Sequence, residues 1–457
     1  MSQSLPIAER WNNRAFLGLL VPILIEQLLV VSMSAVDTMM VSSVGEFAVS
    51  GVNIVTNINY LLAIAFTALA TGGAVVVSQY IGRQDHANSK VAAHQLVYIA
   101  TLVSVAIMLT ALLLRRPIIR LFYGNIEEDV MNAAAVYFLF MGLSYPFLAI
   151  YTSCAALFRA TGNSKTPMRI SLFVNVLSVC GNVVLIFGLG LGVLGAAVST
   201  LASKIIAAVI ASTILYRNSS GKFAPISLSG IFSVRIVRHM IKNICNVGVP
   251  SVLENSMFMV GRLLTQRIFV SFGTAAVAAN AIAGTINSIS FMPGSAFGMT
   301  LLVIVGQCIG AGDYAAAKKQ VAKIMRFACL FMFAISGTTF LLLEPLVGFF
   351  HLSPESHAFA VSFLRIHCVS MALGWATSFI LPSALRSAGD ARYVMIIAVI
   401  SMWTVRVSAA YLLVFVIGLG PLGVWIAMGA DFFVRSVFYL ARWKSGKWQE
   451  KRVIDPV

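Results

Sequence analysis

Long apolar stretches recur from one end of this chain to the other, separated by short polar segments. A helix of about 20 apolar residues crosses the roughly 30 Å hydrocarbon core of a bilayer. The pattern predicts an all-α polytopic membrane protein with twelve transmembrane helices. Their predicted bounds are about 14–40, 53–81, 91–114, 131–158, 167–188, 193–216, 241–271, 278–309, 320–350, 357–385, 393–418 and 421–443.

The same motifs occur twice along the chain, 228 residues apart. Matching positions include Pro22 and Pro250, Glu26 and Glu254, Gln79 and Gln307, and Gly192 and Gly420. Only around Arg159 and Arg386 does the register slip by one residue. Since each copy holds six crossings, both copies enter the membrane from the same side. We therefore predict two six-helix lobes related by a pseudo-two-fold axis along the membrane normal, a common plan for transporters. The lobes are expected over 1–217 and 241–457, joined by a cytoplasmic linker over 218–240.

Composition and charge support the membrane interpretation. Hydrophobic residues make up 59% of the chain and charged residues 11%, against about 25% charged in soluble domains. The net charge of +16 does not indicate nucleic-acid binding, because lysine and arginine concentrate in alternate loops. By the positive-inside rule, both termini and the linker are cytoplasmic. Arg115, Arg116 and Arg120 are exceptions to that rule. We expect a multi-pass protein of a bacterial cytoplasmic (inner) membrane.

Asp37 is the most informative single residue, because it lies within predicted helix 1 or at its outer end. A carboxylate at membrane depth is costly unless it is paired, protonated or hydrated, so it indicates function. It is a candidate site for exchange of H⁺ or Na⁺; the alternative is a carboxyl group held by neighbouring Ser or Thr. In predicted helix 5, Asn175, Ser178 and Asn182 either support that ion site or join helices by hydrogen bonds.

The second repeat has only one of the two carboxylates found in the first helix of the first repeat. Glu254 stands where the first repeat has Glu26, but Thr265 replaces Asp37. Glu26 is a candidate gate or second carboxylate, or a packing hydrogen bond. Glu254 is a candidate substrate contact or second protonation site, or the partner of Arg262 or Arg406 in a structural ion pair. The predicted substrate site comprises Asp37, Glu254, Arg262, Gln27, Asn255, Met257 and Trp375, although methionine and tryptophan also serve as packing residues. Asp431 is expected to pair with Arg435 one turn later.

Motifs for covalent chemistry are absent from the sequence. It has no Gly-Lys-Ser/Thr phosphate loop, no HExxH and no metal-spaced cysteine pairs. We therefore expect no enzyme activity, no cofactor and no bound metal beyond a coupling ion, H⁺ or possibly Na⁺. Energy for transport would come from an ion gradient.

Several segments together resemble the multidrug and toxic compound extrusion (MATE) family over essentially the whole chain. They are Val36-Asp37-Thr38-Met39-Met40, Gln79-Tyr80-Ile81-Gly82, Phe158-Arg159-Ala160-Thr161-Gly162-Asn163 and Gly181-Asn182-Val183-Val184. The resemblance implies two six-helix lobes around a central cleft and cation-coupled antiport of amphipathic, often cationic compounds. Asp37 matches the family's helix 1 aspartate, implicated in H⁺ or Na⁺ coupling, and Glu254 is similar to a helix 7 glutamate of some members.

Two departures from the family pattern matter. Asn182 stands where many members have an aspartate in helix 5, and predicted helix 10 has no acid between Trp375 and Leu385. Both departures favour H⁺ over Na⁺ and place the chain nearer an Asn-bearing branch, whose substrates need not be drugs.

The leading hypothesis is a secondary active antiporter that exports amphipathic, cationic organic compounds by alternating access. The alternatives are a flavin-like metabolite exporter, a lipid-linked precursor flippase of the same superfamily, or, from another class, a passive channel or membrane-embedded enzyme. The flippase would need a basic cavity, for which Arg262, Arg267 and Arg406 are the candidates. Expected partners are an amphipathic small molecule, the coupling cation and membrane lipids, without nucleic acid. The chain is expected to act as a monomer.

Overall fold

The structure, a computed structural model, describes residues 10–124, 126–217, 226–231 and 236–454. Twelve long helices, named α1 to α12, follow one another in these ranges. They are α1 Asn13–Ser42, α2 Glu46–Gly82, α3 His86–Leu113, α4 Glu128–Ala160, α5 Lys165–Gly188, α6 Gly192–Arg217, α7 Arg238–Val270, α8 Gly273–Gly310, α9 Tyr314–Leu341, α10 Pro354–Ser387, α11 Ala391–Val416 and α12 Leu422–Lys444. The predicted all-α fold of twelve long helices is confirmed.

Eleven of these helices are both long enough and apolar enough to cross a membrane within the described residues. The remaining helix is α7, which is more polar because it carries Glu254, Arg262 and Arg267. It is nevertheless 33 residues long, which at about 1.5 Å per residue exceeds the thickness of the hydrocarbon core.

Two short helices differ from the prediction. Arg115–Tyr123 follows α3, and Leu343–Gly348 follows α9. Each carries a proline at its third position, Pro117 or Pro345. A proline ring clashes with the carbonyl four residues earlier, which is Leu113 or Leu341, the last residue of the preceding long helix. The prediction of one helix over 320–350 was therefore wrong, since Pro345 ends α9 at Leu341.

The two repeats also begin their third helices in the same way. Asp85 caps α3 by accepting a hydrogen bond from the Asn88 backbone N–H at 3.1 Å. Asp313 caps α9 by accepting one from the Ala316 backbone N–H at 2.7 Å. An aspartate at this position satisfies an N–H that has no partner inside the helix. The sequence repeat is thus a repeat of local structure.

Packing divides the described chain into two units, one over 13–249 and the other over 250–454 together with Arg10–Asn12. In the first unit α4 packs against α2, α3 and α6, and α1 packs against α5. In the second unit α8 packs against α9 and α10, and α10 packs against α12. The Trp11 carbonyl in the second unit accepts hydrogen bonds from Gln320 Nε2 and Lys323 Nζ, both at 3.2 Å.

The predicted linker over 218–240 is described only at 226–231 and 236–240. The sequence also predicts a short amphipathic surface helix in this linker, around Ile231 to Arg238, of which 232–235 lie outside the described residues. The described part packs against α3 of the first unit. There, Lys90 Nζ donates to Ser229 Oγ at 3.1 Å, and a His94 ring nitrogen lies 3.1 Å from the Ser227 carbonyl.

The start of α7 packs closely against α2 within the first unit. A Cβ atom added at Gly72 would lie 2.6 Å from the Ile244 carbonyl oxygen and 2.7 Å from the Gly248 nitrogen. Real Cβ atoms do not approach backbone atoms this closely, so the two helices touch through their backbones. Gly72 therefore sets the distance between α2 and α7.

Candidate functional site

Asp37 and Asn182 are brought together inside the first unit. Asp37 lies near the end of α1 and is half-buried. Its Oδ1 accepts a hydrogen bond of 2.8 Å from Nδ2 of Asn182, whose side chain is 1% exposed. Asn182 is the last residue of regular α-helix in α5, and a wider π-helical turn over Val183–Gly188 follows it. Such turns often occur at functional sites.

Two further residues interact electrostatically with this carboxylate and were missed by the sequence analysis. Lys204 on α6 interacts electrostatically with Asp37, and its Nζ donates to Ser144 Oγ at 3.1 Å. Tyr137 on α4 is buried and interacts electrostatically with Asp37. Its hydroxyl contacts those of Thr56 and Thr200.

A signal for Lys204 was present in the sequence. It is the only charged residue of α6 before Arg217, which ends the helix. Tyr137 had no such signal, because it is one of twelve tyrosines in a chain rich in aromatic residues.

The other predicted residues of the first unit form contacts between helices. Asn175 Nδ2 lies 3.4 Å from the Leu29 carbonyl of α1. The Ser178 carbonyl accepts a 2.9 Å hydrogen bond from Ser199 Oγ of α6. Glu26 Oε1 accepts a 2.6 Å charge-assisted bond from Arg159 Nη2 of α4, and Gln27 beside it is half-buried.

Glu254 in the second unit is held in the same way as Glu26. Both of its carboxylate oxygens lie within hydrogen-bond distance of Arg386 Nη2, at 2.8 and 2.7 Å. Its partner is thus Arg386 rather than Arg262 or Arg406, the two partners considered from the sequence. Arg159 and Arg386 are the two residues at which the repeat slips by one position, so the ion pair is itself repeated.

The remaining predicted substrate residues lie in or beside α7, apart from Trp375. Arg262 and Asn255 are exposed, and Met257 is half-buried. Asn255 Nδ2 donates to the Ser251 carbonyl at 2.8 Å. Thr265, the counterpart of Asp37, is buried and donates to the Arg262 carbonyl of its own helix at 3.0 Å. The second unit therefore has a neutral, internally bonded side chain at the position where the first unit has a carboxylate.

Trp375 lies in the aromatic core of the second unit. Its side chain is 4% exposed and stacks on Phe291 and Phe379, with ring centroids 4.9 and 5.1 Å away. A Cβ at Gly294 would lie 1.9 Å from the Trp375 ring, so this glycine makes room for the indole.

Asp431 pairs with Arg435, as predicted. Arg435 Nε donates to Asp431 Oδ1 at 2.8 Å, and Arg406 Nη1 lies 3.8 Å from the other carboxylate oxygen. Among the residues that the structure describes, no group of three or more His, Cys, Asp or Glu side chains is placed to hold a metal ion.

A repeated bundle of membrane-length helices with charged side chains inside each half is typical of a secondary transporter. The chain belongs to the MatE family, whose profile matches residues 22–184 and again residues 250–412. The two matches begin 228 residues apart, which is the offset of the sequence repeat.

Similar proteins extend over almost the whole chain. The uncharacterized transporter YisQ of Bacillus subtilis is 26% identical over 434 residues, covering 94% of each chain. The probable multidrug resistance protein NorM of Thermotoga maritima is 26% identical over 454 residues, covering 97% of this chain and 94% of its own. A crystal structure of MATE in the bent conformation has a TM-score of 0.90 at 18% identity, over 98% of this chain and 99% of that one. The chain is thus a multi-pass membrane transporter with the two-lobe MATE fold.

Proposed function

We propose that this transporter is a secondary active antiporter that exports amphipathic organic compounds, cationic ones among them, in exchange for H⁺. The observation that carries the proposal is the half-buried Asp37 carboxylate, which accepts a hydrogen bond from Asn182 and interacts electrostatically with Lys204. An ionisable group at this depth is able to take up a cation and to release it on the other side of the membrane.

Lys204 supports H⁺ as the coupling ion rather than Na⁺. While Asp37 is ionised, the Lys204 ammonium balances its charge and repels a metal cation from the same oxygens. A proton instead neutralises the carboxylate and ends its attraction to Lys204. The two protonation states thus differ in how strongly α1 is attracted to α6, which is the kind of differential interaction that shifts a conformational equilibrium.

The polar neighbours of Asp37 fit this role. Asn182 supplies an amide where a carboxylate would add a second negative charge for Na⁺. Tyr137 is hydrogen-bonded to Thr56 and Thr200, and these three hydroxyl groups supply neutral hydrogen-bonding partners. For a neutral compound exchanged one for one, a proton moved through 100 mV supplies about 2.3 kcal/mol, enough for roughly fifty-fold accumulation of substrate. For a monovalent cation exchanged one for one no net charge moves, and the pH gradient supplies the energy.

The proposal also includes the orientation of the protein in the membrane. Alternate loops carry the lysines and arginines, so both termini and the linker face the cytoplasm of a bacterial inner membrane. The transporter works as a monomer, with an amphipathic small molecule, the coupling cation and membrane lipids as its partners.

The decisive experiment uses the full chain in proteoliposomes. A pH gradient and a Na⁺ gradient are imposed separately, and uptake of a fluorescent organic cation is followed. We expect uptake with the pH gradient, none with the Na⁺ gradient alone, and loss of the pH-driven uptake in a correctly folded Asp37→Asn variant. Uptake without any gradient would instead indicate a channel, and full activity of Asp37→Asn would place coupling at another residue.

One observation favours a second candidate function, the export of an aromatic metabolite that carries a negative charge. The second unit buries Arg406 and Arg435 around the single carboxylate of Asp431. An excess of positive charge suits an anionic group better than a cationic one. Transport of an anionic aromatic compound under the same pH gradient, with the organic cation not transported, would favour this candidate.

A further inference from the structure

The second unit contains a cluster of buried charges that the proposed coupling step does not use. We call Asp431, Arg435 and Arg406 the arginine cluster. Asp431 is fully buried and accepts hydrogen bonds from Ser401 Oγ and from Arg435 Nε. Arg406 Nη1 lies 3.8 Å from the second carboxylate oxygen, too far for a hydrogen bond. One carboxylate therefore faces two guanidinium groups.

Several donors in the cluster have no acceptor among the described residues. They are Nε and Nη1 of Arg406 and Nη2 of Arg435. Arg406 is 7% exposed and Arg435 is 3% exposed. Buried charged donors are normally hydrogen-bonded, because leaving them unpaired is costly. Arg262 adds a third positive charge that acts on Arg406. The nearby Glu254 does not balance this excess, because Arg386 neutralises it.

Aromatic rings surround the guanidinium groups without supplying acceptors. Arg406 Cζ lies 4.9 Å from the ring centre of Phe258. Arg435 Cζ lies 5.7 Å from the same ring and 5.9 Å from that of Phe379. Phe379 continues the stack with Trp375. Phe258 and Phe379 are half-buried, so part of each ring remains accessible.

The cluster is not required for building a six-helix lobe of this kind. At the 228-residue offset, Arg406 corresponds to Ser178, Asp431 to Ser203 and Arg435 to Ala207. Those small residues are buried in the first unit, which forms the same helices without any of these charges. A purely structural role would be expected in both repeats, whereas a ligand needs only one such site.

We propose that the arginine cluster binds the anionic group, a carboxylate or an acid of similar shape, of an aromatic amphipathic compound. Arginine presents planar pairs of donors that match carboxylate oxygens. The rings of Phe258 and Phe379 adjoin these donors and provide an apolar surface for an aromatic body. That the compound is a transported substrate rests on the proposed export function; the anion site itself rests on the cluster alone.

The test is equilibrium dialysis of the purified full chain in detergent with 2-naphthoate and with its neutral isostere 2-naphthamide. We expect 2-naphthoate to bind at least tenfold more tightly than the amide. Arg406→Met should abolish that preference while leaving the Arg435–Asp431 pair intact. Arg326→Gln, which alters an exposed arginine on α9 outside the cluster, should bind as the unmodified chain does. Equal binding of the two compounds, or an unchanged preference in Arg406→Met, would overturn the proposal.

Two further measurements keep the outcome unambiguous. If Arg406→Met does not fold, Arg262→Gln is tested instead, since it changes an exposed residue beside the cluster. That variant should bind 2-naphthoate at least threefold more weakly than the unmodified chain. Unchanged binding in Arg262→Gln would contradict the proposal. If phosphatidylglycerol displaces 2-naphthoate from the unmodified chain while neutral phosphatidylcholine does not, the site belongs to a lipid headgroup and the proposal fails. Gradient-driven uptake of the organic cation, measured after the same protein is reconstituted into proteoliposomes, bears only on the antiport proposal.

Discussion

Arg159 Nη2 donates to Glu26 Oε1 at 2.6 Å across 133 residues of sequence. The second repeat forms the equivalent bond between Arg386 and Glu254 across 132 residues. The difference of one residue is the slip in the repeat around the two arginines. Both pairs tie the first helix of a repeat to its fourth span. Their preservation after the repeats diverged elsewhere indicates that the pair is part of the architecture.

Removing one partner of either pair should therefore destabilise the fold. Glu26→Gln leaves the Arg159 guanidinium, whose side chain is only 14% exposed, without its counter-charge; breaking a buried ion pair costs about 3–5 kcal/mol. Glu254→Gln should cost a similar amount in the second unit. Thermal unfolding of the purified protein in detergent measures both. As a control, the double swap Glu26→Arg with Arg159→Glu should recover part of the loss; unaltered unfolding of both single variants would contradict the structural role.

Lys204 should determine which cation couples to transport. Lys204→Met removes the ammonium that balances Asp37, so a metal cation no longer meets an opposing charge. We expect at least a tenfold fall in uptake driven by the pH gradient, together with the appearance of uptake driven by Na⁺. Lys204→Arg keeps the charge and should remain selective for H⁺. Proteoliposome assays with separate gradients distinguish these results, and a Lys204→Met variant with unchanged ion preference would remove Lys204 from the mechanism.

Asn182 should position the Asp37 carboxylate through its 2.8 Å hydrogen bond. Asn182→Leu keeps a similar volume but loses the donor, whose worth is about 1.5–3 kcal/mol for a bond to a charged group. We expect gradient-driven uptake to fall by roughly tenfold, since 1.4 kcal/mol is a factor of ten. Asn182→Gln supplies the same amide on a longer stem and should recover part of the activity. Equal activity of the leucine variant and the unmodified chain would show that the bond is dispensable.

Gly72 should be intolerant of even one added carbon. In Gly72→Ala the new Cβ would lie 2.6 Å from the Ile244 carbonyl oxygen, so α2 and α7 must separate, at a cost of about 1–3 kcal/mol. Gly337→Ala on α9 is the matched control, because nothing lies within 4 Å of its added Cβ. That control should be neutral or stabilising by up to about 1 kcal/mol, the helix preference of alanine over glycine. Equal unfolding temperatures for the two variants would argue against a backbone contact.

Much of the fold was predictable because membrane helices are encoded locally. A long apolar run must form a helix to satisfy its backbone in lipid, and the repeat confirmed the number of crossings. The C-terminal end of α9 was mispredicted because the apolar run continues past Pro345, whereas the proline ends the helix at Leu341. The Asp431–Arg435 pair was also predictable, since its residues lie one turn apart on one helix.

The partners of the Glu26 and Glu254 carboxylates were harder to predict. Glu26 and Glu254 find arginines more than 130 residues away, and sequence spacing carries no information about such a contact. Lys204 could have been noticed as the lone charge inside an apolar run, but its relation to Asp37 depends on how α1 and α6 pack. The role of Asp37 in coupling stays a prediction.

The described packing also has a consequence for how the polypeptide is produced. Arg10–Asn12 precede the first repeat yet group with the second unit, and 238–249 open the second repeat yet group with the first. A fragment that begins after the linker would lack Trp11, whose carbonyl binds Gln320 and Lys323. A fragment that stops before the linker would lack the backbone surface that meets Gly72. Neither half of the chain therefore contains all the residues of one unit. The first half needs 238–249 from the second, and the second half needs Arg10–Asn12 from the first.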